Sequence, residues 1–191
     1  MRVIKLFVLS FLILTLAACS SLSLGTAIQL QKIDWLKDDV ANMTFALDLP
    51  SSLKPVKNET ALLIDATTSK FGERNIEAIL EETNDLSRIA NLPQLAKGRV
   101  YYLFSISKKG QEEIEEFQQW AKDLKEQHGD IGGKLGIGIQ AEFCRSQDVE
   151  VKKEKFSVFV SLPGKVELSP LISSMKISEV MKGQEADIEM C

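Results

Sequence analysis

The chain has 191 residues, 45% hydrophobic and 26% charged, with 23 Lys and Arg against 27 Asp and Glu and a formal charge of −4. That mixture suits one globular domain with an ordinary core and excludes a disordered or fibrous chain. The mildly acidic balance, with no basic block, disfavours nucleic acid and anionic lipid surfaces as partners.

The first element in chain order is a leader. Arg2 and Lys5 flank the start of an apolar run from Leu6 to Ala18, too short to cross a bilayer as a helix and laid out like a secretion signal. The run closes in Leu16-Ala17-Ala18-Cys19, which resembles the lipobox of bacterial lipoproteins. The resemblance implies cleavage between Ala18 and Cys19, diacylation of the Cys19 sulfur and acylation of the new amino group. Two or three chains, at about 0.8 kcal/mol per buried methylene, anchor a protein stably where one would be marginal. The competing reading is an ordinary signal peptide with an incidental cysteine. In Gram-negative lipoproteins, Ser20 in place of an aspartate implies the outer membrane, on its periplasmic side. Residues 19–26 are then the acylated cysteine and its tether, of which 20–26 reach at most about 25 Å, and 27–191 form a single domain. Removal of Arg2 and Lys5 with residues 1–18 takes the formal charge to about −6.

Residues 33–42 look like a short helical turn that Asp38 or Asp39 caps. In 43–50, Met43, Phe45, Leu47 and Leu49 alternate with Thr44, Ala46 and Asp48, the pattern of a half-buried strand. A second strand is expected at 60–67. The stretch 74–97 suits helix or strand, and 75–81 reads as strand. In 99–107, Val100, Tyr102, Phe104 and Ile106 face one way and Tyr101 and Leu103 the other, so both faces are expected to be covered. Ile114, Phe117, Trp120, Ala121 and Leu124 make one stripe at helical spacing across 110–129. Glu112, Glu113, Glu115 and Glu116 come early in that helix, Lys122, Lys125 and His128 come late, and Gly129 ends it. Strands follow at 134–144 and 155–164, a type II turn at Leu162-Pro163-Gly164-Lys165, and one more strand with an irregular return over 165–181. The order predicts an α+β fold, a largely antiparallel sheet packed by one long amphipathic helix. The passage 99–144 is open to reading as one right-handed parallel crossover.

"LDLP", "YYLFSIS" and "GIGIQAEFCR", in that order with a helix between the last two, resemble segments of uncharacterised envelope lipoproteins of alphaproteobacteria. The resemblance implies a compartment and no activity.

Catalytic chemistry finds little purchase. The single histidine, His128, could be joined on paper to Asp130 and a serine, but no Gly-x-Ser-x-Gly turn is present. Zinc lacks its paired Cys or His ligands, and calcium its spaced acidic loop. The glycines of 132–140 lead from helix to strand, opposite to a phosphate loop. No catalytic residue, metal ligand or cofactor is therefore nominated.

Two features remain as candidate sites. On the strand at 134–144, Leu135, Ile137, Ile139, Ala141 and Phe143 share one face, while Gly136 and Gly138 leave the other bare. The protein's own helix or loop is expected to pack there, so that valine at Gly138 would overpack the core; otherwise the bare face is a docking site for a partner, peptide or lipid-like ligand. With Cys19 acylated, Cys144 and Cys191 remain, in a compartment that permits a disulfide between them; two separate thiols are the alternative. The expected function is that of a non-enzymatic accessory or scaffolding lipoprotein, anchored to the membrane and docking another envelope protein. A lipid- or ligand-binding lipoprotein is the alternative, and a small hydrolase comes third.

Overall fold

The structure is a computed structural model and describes residues 32–68, 70–129, 132–148, 150–181 and 188–191. The leader, Ala18, Cys19 and the tether lie outside the described residues.

Seven strands run in chain order as β1 (Thr44–Pro50), β2 (Leu53–Thr68), β3 (Gly72–Glu82), β4 (Arg99–Ile106), β5 (Gly133–Arg145), β6 (Lys155–Ser161) and β7 (Leu168–Lys176). Among the described residues two α-helices accompany them, α1 (Lys108–His128) and α2 (Ile177–Met181). The strands form one sheet in the order β5-β2-β3-β4-β1-β6-β7, and every pairing between named strands is antiparallel. The expectation of a largely antiparallel sheet therefore holds. The parallel crossover does not: β4 and β5 are separated by β3 and β2, and successive antiparallel pairings leave them running in opposite directions.

The sheet changes partner within one strand. β3 pairs with β2 from Gly72 to Ile79, then with β4 only from Leu80 to Glu82. The outer ribbon β5-β2-β3 thus joins the inner strands through a narrow seam, and the sheet curls there.

At the centre, β1 is covered on both faces rather than half-buried. Phe45, Leu47 and Leu49 belong to the main core with Phe104, Ile106 and Val158, while Ala46 packs with Leu103, Phe159 and Leu168 on the reverse side. The segment 83–98 supplies that second cover through Ile89 and Leu92. Its alternation misleads because the reverse face is small, and Thr44 can be buried once its N–H donates to the Ser161 hydroxyl at 2.7 Å.

α1 begins two residues earlier than the sequence suggests. Ser107 is its N-cap, with the hydroxyl accepting from the Gly110 N–H at 3.1 Å. The first turn therefore holds Lys108 and Lys109 and no acid, which corrects the expected dipole arrangement. The other end is as expected: Gly129 closes the helix at φ 72°, its N–H donating to the Lys125 carbonyl. Ile114 and Phe117 are buried in the main core cluster with Ala78 and Leu80, and Trp120 adjoins it. Residues from Lys125 onward are exposed.

The 33–42 segment makes a single turn capped by Asp34 and Asp38 together, the Asp38 carboxylate accepting from the Asp34 N–H at 2.9 Å, while Asp39 holds the Asn42 amide instead. The Asp34 carboxylate accepts from the Leu36 N–H, and its carbonyl from the N–H groups of Lys37 and Asp38. At Leu162-Pro163-Gly164-Lys165 the expected turn forms, with Gly164 at φ 73° and Lys165 N–H donating to Leu162 O at 2.9 Å.

Candidate functional site: the outer strand and its disulfide

β5 ends the sheet, and its thirteen residues make it a long edge. It pairs with β2 from Thr68↔Gly133 to Leu53↔Arg145, broken only where β2 bulges between Pro55 and Thr60. Asn58, at φ 65°, lies in that bulge, so the irregularity belongs to β2 and β5 continues unbroken.

Directly opposite residues in an antiparallel sheet share a face. Ile137 therefore lies in a row with Ile64 and Ile76, and Ile139 in a row with Leu62 and Ala78. Ile64, Leu62 and Ala78 are buried, whereas Leu135 and Ile137 remain 41% and 39% exposed. The apolar rows thus run out to the edge and stop uncovered.

The opposite face is open at the two glycines. A Cβ at Gly138 would meet only the Leu63 Cβ, at 4.0 Å, and one at Gly136 only Asp65 atoms, from 3.7 Å. Both neighbours lie on the adjacent strand. Among the described residues no helix or loop covers Gly136 and Gly138, which overturns the expectation of internal packing there. Close packing falls on Gly110 instead, where a Cβ would come within 2.9 Å of Ile106 Cγ2 and 3.0 Å of Ala78 Cβ.

The free side of β5 is occupied at one end only. Arg145 N–H donates to Glu189 O at 2.8 Å, and Arg145 O accepts from Cys191 N–H at 3.0 Å, so the C-terminal tail pairs there in parallel with Met190 beside Arg145. The sulfurs of Cys144 and Cys191 lie at disulfide distance, with Cα atoms 5.0 Å apart, inside the range for a bridge. The sequence brings these two cysteines together by parity; the tail's strand-like pairing it does not reveal, since four residues are too few to show a period.

Arg145 also fixes which backbone groups face outward. Both of its groups point to the tail, while the next residue, Ser146, donates its N–H back to Ser52 at 2.8 Å. By alternation the N–H and C=O of Leu135, Ile137, Ile139, Ala141 and Phe143 also point away from β2. Among the described residues no strand pairs with that side from Gly133 to Phe143. The opposite edge differs: β7 carries Pro170, two register shifts against β6, and Ser174 at φ 52°. Proline and bulges are the usual means of blunting an edge, and the free part of β5 has neither.

Elsewhere the chemistry is sparse. His128 stacks on Phe71 with ring centroids 4.5 Å apart, and Asp130 lies outside the described residues. No group of three or more His, Cys, Asp or Glu among the described residues could hold a metal ion. A notch of about 270 Å³ is lined by Arg74, Asn75, Ile76, Glu77, Glu113 and Glu116, a charged surface rather than an apolar ligand cavity. Burial holds the Tyr101 and Tyr102 phenols above their ordinary range; their hydroxyls donate to the Pro93 and Leu53 carbonyls. Both therefore serve as neutral donors, Tyr101 to the loop at Pro93 and Tyr102 to the start of β2. Comparison with family models, with curated proteins and with solved structures gives no match for this chain.

Proposed function

We propose that this chain is a bacterial lipoprotein, acylated at Cys19 and held at the periplasmic face of the outer membrane, that acts as a non-enzymatic docking module of the cell envelope. In this reading the long helix α1 covers one face of the sheet and leaves β5 as the part that meets a partner. The observation that carries the reading is the long edge of β5, which no strand pairs from Gly133 to Phe143 among the described residues, which has neither proline nor bulge, and where Leu135 and Ile137 are exposed. Edges of this kind accept an added strand, with main-chain hydrogen bonds supplying affinity and alternate side chains specificity. The anchor rests on Leu16-Ala17-Ala18-Cys19 and its leader, and the outer membrane on Ser20. The cysteine pair at disulfide distance suits an oxidising compartment.

The anchor is tested by metabolic labelling with an acyl probe. The native chain takes the label and Cys19→Ser does not; label on the serine variant would refute acylation at Cys19. Density-gradient fractionation checks the membrane, with the protein expected among outer-membrane markers.

A further inference from the structure

We propose that the partner of β5 is the β5 strand of a second copy, paired antiparallel about a two-fold axis through Gly138. This rests on the reading of β5 as the docking strand and narrows it to one occupant. The free edge runs from Gly133 to Phe143, beyond which the disulfide-held tail fills the outer side of Arg145. Gly138 is the midpoint of that stretch, so a two-fold pairing centred there uses all of it and is stopped at each end by a tail.

The register is self-complementary. With Gly138 opposite Gly138, Ile137 meets Ile139, Leu135 meets Ala141 and Gly133 meets Phe143 on the apolar face. On the other face Gly136 meets Gln140, and Lys134 meets Glu142 twice, once on each side of the axis. The exposed Leu135 and Ile137 are covered, and the only two charged side chains of the stretch neutralise each other. A shift that sets Ile137 opposite Ile137 puts Lys134 against Gln140 and loses both ion pairs. The backbone agrees: the outward N–H and C=O groups belong to the odd-numbered residues, so Ile137·Ile139 and Leu135·Ala141 become hydrogen-bonded pairs. Gly138·Gly138 and Lys134·Glu142 become non-hydrogen-bonded pairs, in which side chains stand closer. Isologous contacts of this sort close after two subunits, and confinement to a membrane surface raises the local concentration that favours them.

The test uses the full chain in bacterial membranes. Gly138→Cys should form a disulfide-linked dimer on mild oxidation, because the position faces itself; Gln140→Cys should not, but should crosslink to co-expressed Gly136→Cys. Adding Lys134→Glu should lower the Gly138→Cys dimer about ten-fold, and adding Glu142→Lys to that variant should restore it. A monomeric Gly138→Cys, equal dimerisation of Gln140→Cys, or failure of the double charge swap to rescue would overturn the self-pairing. A photoreactive residue at Ile137 separates this failure from the larger one. An adduct with another protein and none with a second copy refutes the two-fold pairing and leaves β5 as a docking strand; no adduct at all refutes both.

Discussion

Asp48 is the one charged residue of β1, and it survives in a strand otherwise buried because Arg99 of β4 closes on it. Arg99 Nε lies 2.6 Å from Asp48 Oδ1, and its Nη2 also donates to the carbonyls of Asp48 and Lys155. One guanidinium thus ties together β1, β4 and the start of β6. Both side chains are largely shielded, at 21% and 16% exposure, so removing one leaves the other poorly solvated. Asp48→Ala is expected to cost about 2 to 3 kcal/mol, read as a lower denaturation midpoint, and Arg99→Lys to lose part of that because an ammonium lacks the planar fork. An unchanged midpoint in both variants would show that the pair contributes nothing. Asp85 offers a pH-dependent counterpart. The Ser87 hydroxyl, and after it Arg88 and the Ser87 N–H, hold its carboxyl below the usual range. Because the folded value is the lower one, the cap's contribution is present above the ordinary carboxylate value and is lost as pH falls through the folded value. A carboxyl titration by NMR should find the Asp85 midpoint depressed and Ser87→Ala should move it upward.

At the scale of elements, alternation and helical spacing located β1, β4, β5, β6 and α1 to within a few residues, because each carries its period over a full element. β2 was only half legible. Its first part, Leu53 to Glu59, contains Pro55 and Asn58, residues that read as a loop, and only pairing across the bulge with β5 makes it strand. The expectation of packing at Gly136 and Gly138 fails for a related reason. Sequence shows where a side chain is missing but not what faces the gap, so Gly136 and Gly138 drew the expectation of packing that Gly110 fulfils. Opposite outcomes follow. Gly138→Val should leave the melting temperature nearly unchanged, since its Cβ finds only an ordinary contact and valine suits a strand. Gly110→Ala should destabilise, because overpacking of about 1 to 3 kcal/mol exceeds the gain of at most about 1 kcal/mol from helix propensity. Paired melting curves decide it, and a large loss at Gly138 with none at Gly110 would reverse the assignment.

For the whole molecule, the termini carry what the sheet does not. A contiguous motif such as Leu16-Ala17-Ala18-Cys19 can be read directly from sequence, whereas the order of strands in space depends on pairings between distant segments, which is why the 99–144 passage misleads. The C-terminus joins the two levels: Ile188 is buried in the main core, and Glu189 to Cys191 lie along the outer side of β5 next to Cys144. A bridge there spans a sequence separation of 47 residues and encloses β6, β7 and α2. In the chain-entropy account, closing a loop of this size restricts the unfolded chain by roughly 4 kcal/mol. The paired variant Cys144→Ser with Cys191→Ser should therefore melt well below the parent, and adding reductant should lower the parent to a similar temperature while leaving the variant unmoved. Hydrogen exchange locates the change: the amides of Arg145 and Cys191, which pair β5 with the tail, should lose protection first, while those of β1 and β4 at the sheet centre keep theirs. Equal melting of parent and variant, with or without reductant, would mean that the tail is held by its backbone pairing and the burial of Ile188 alone.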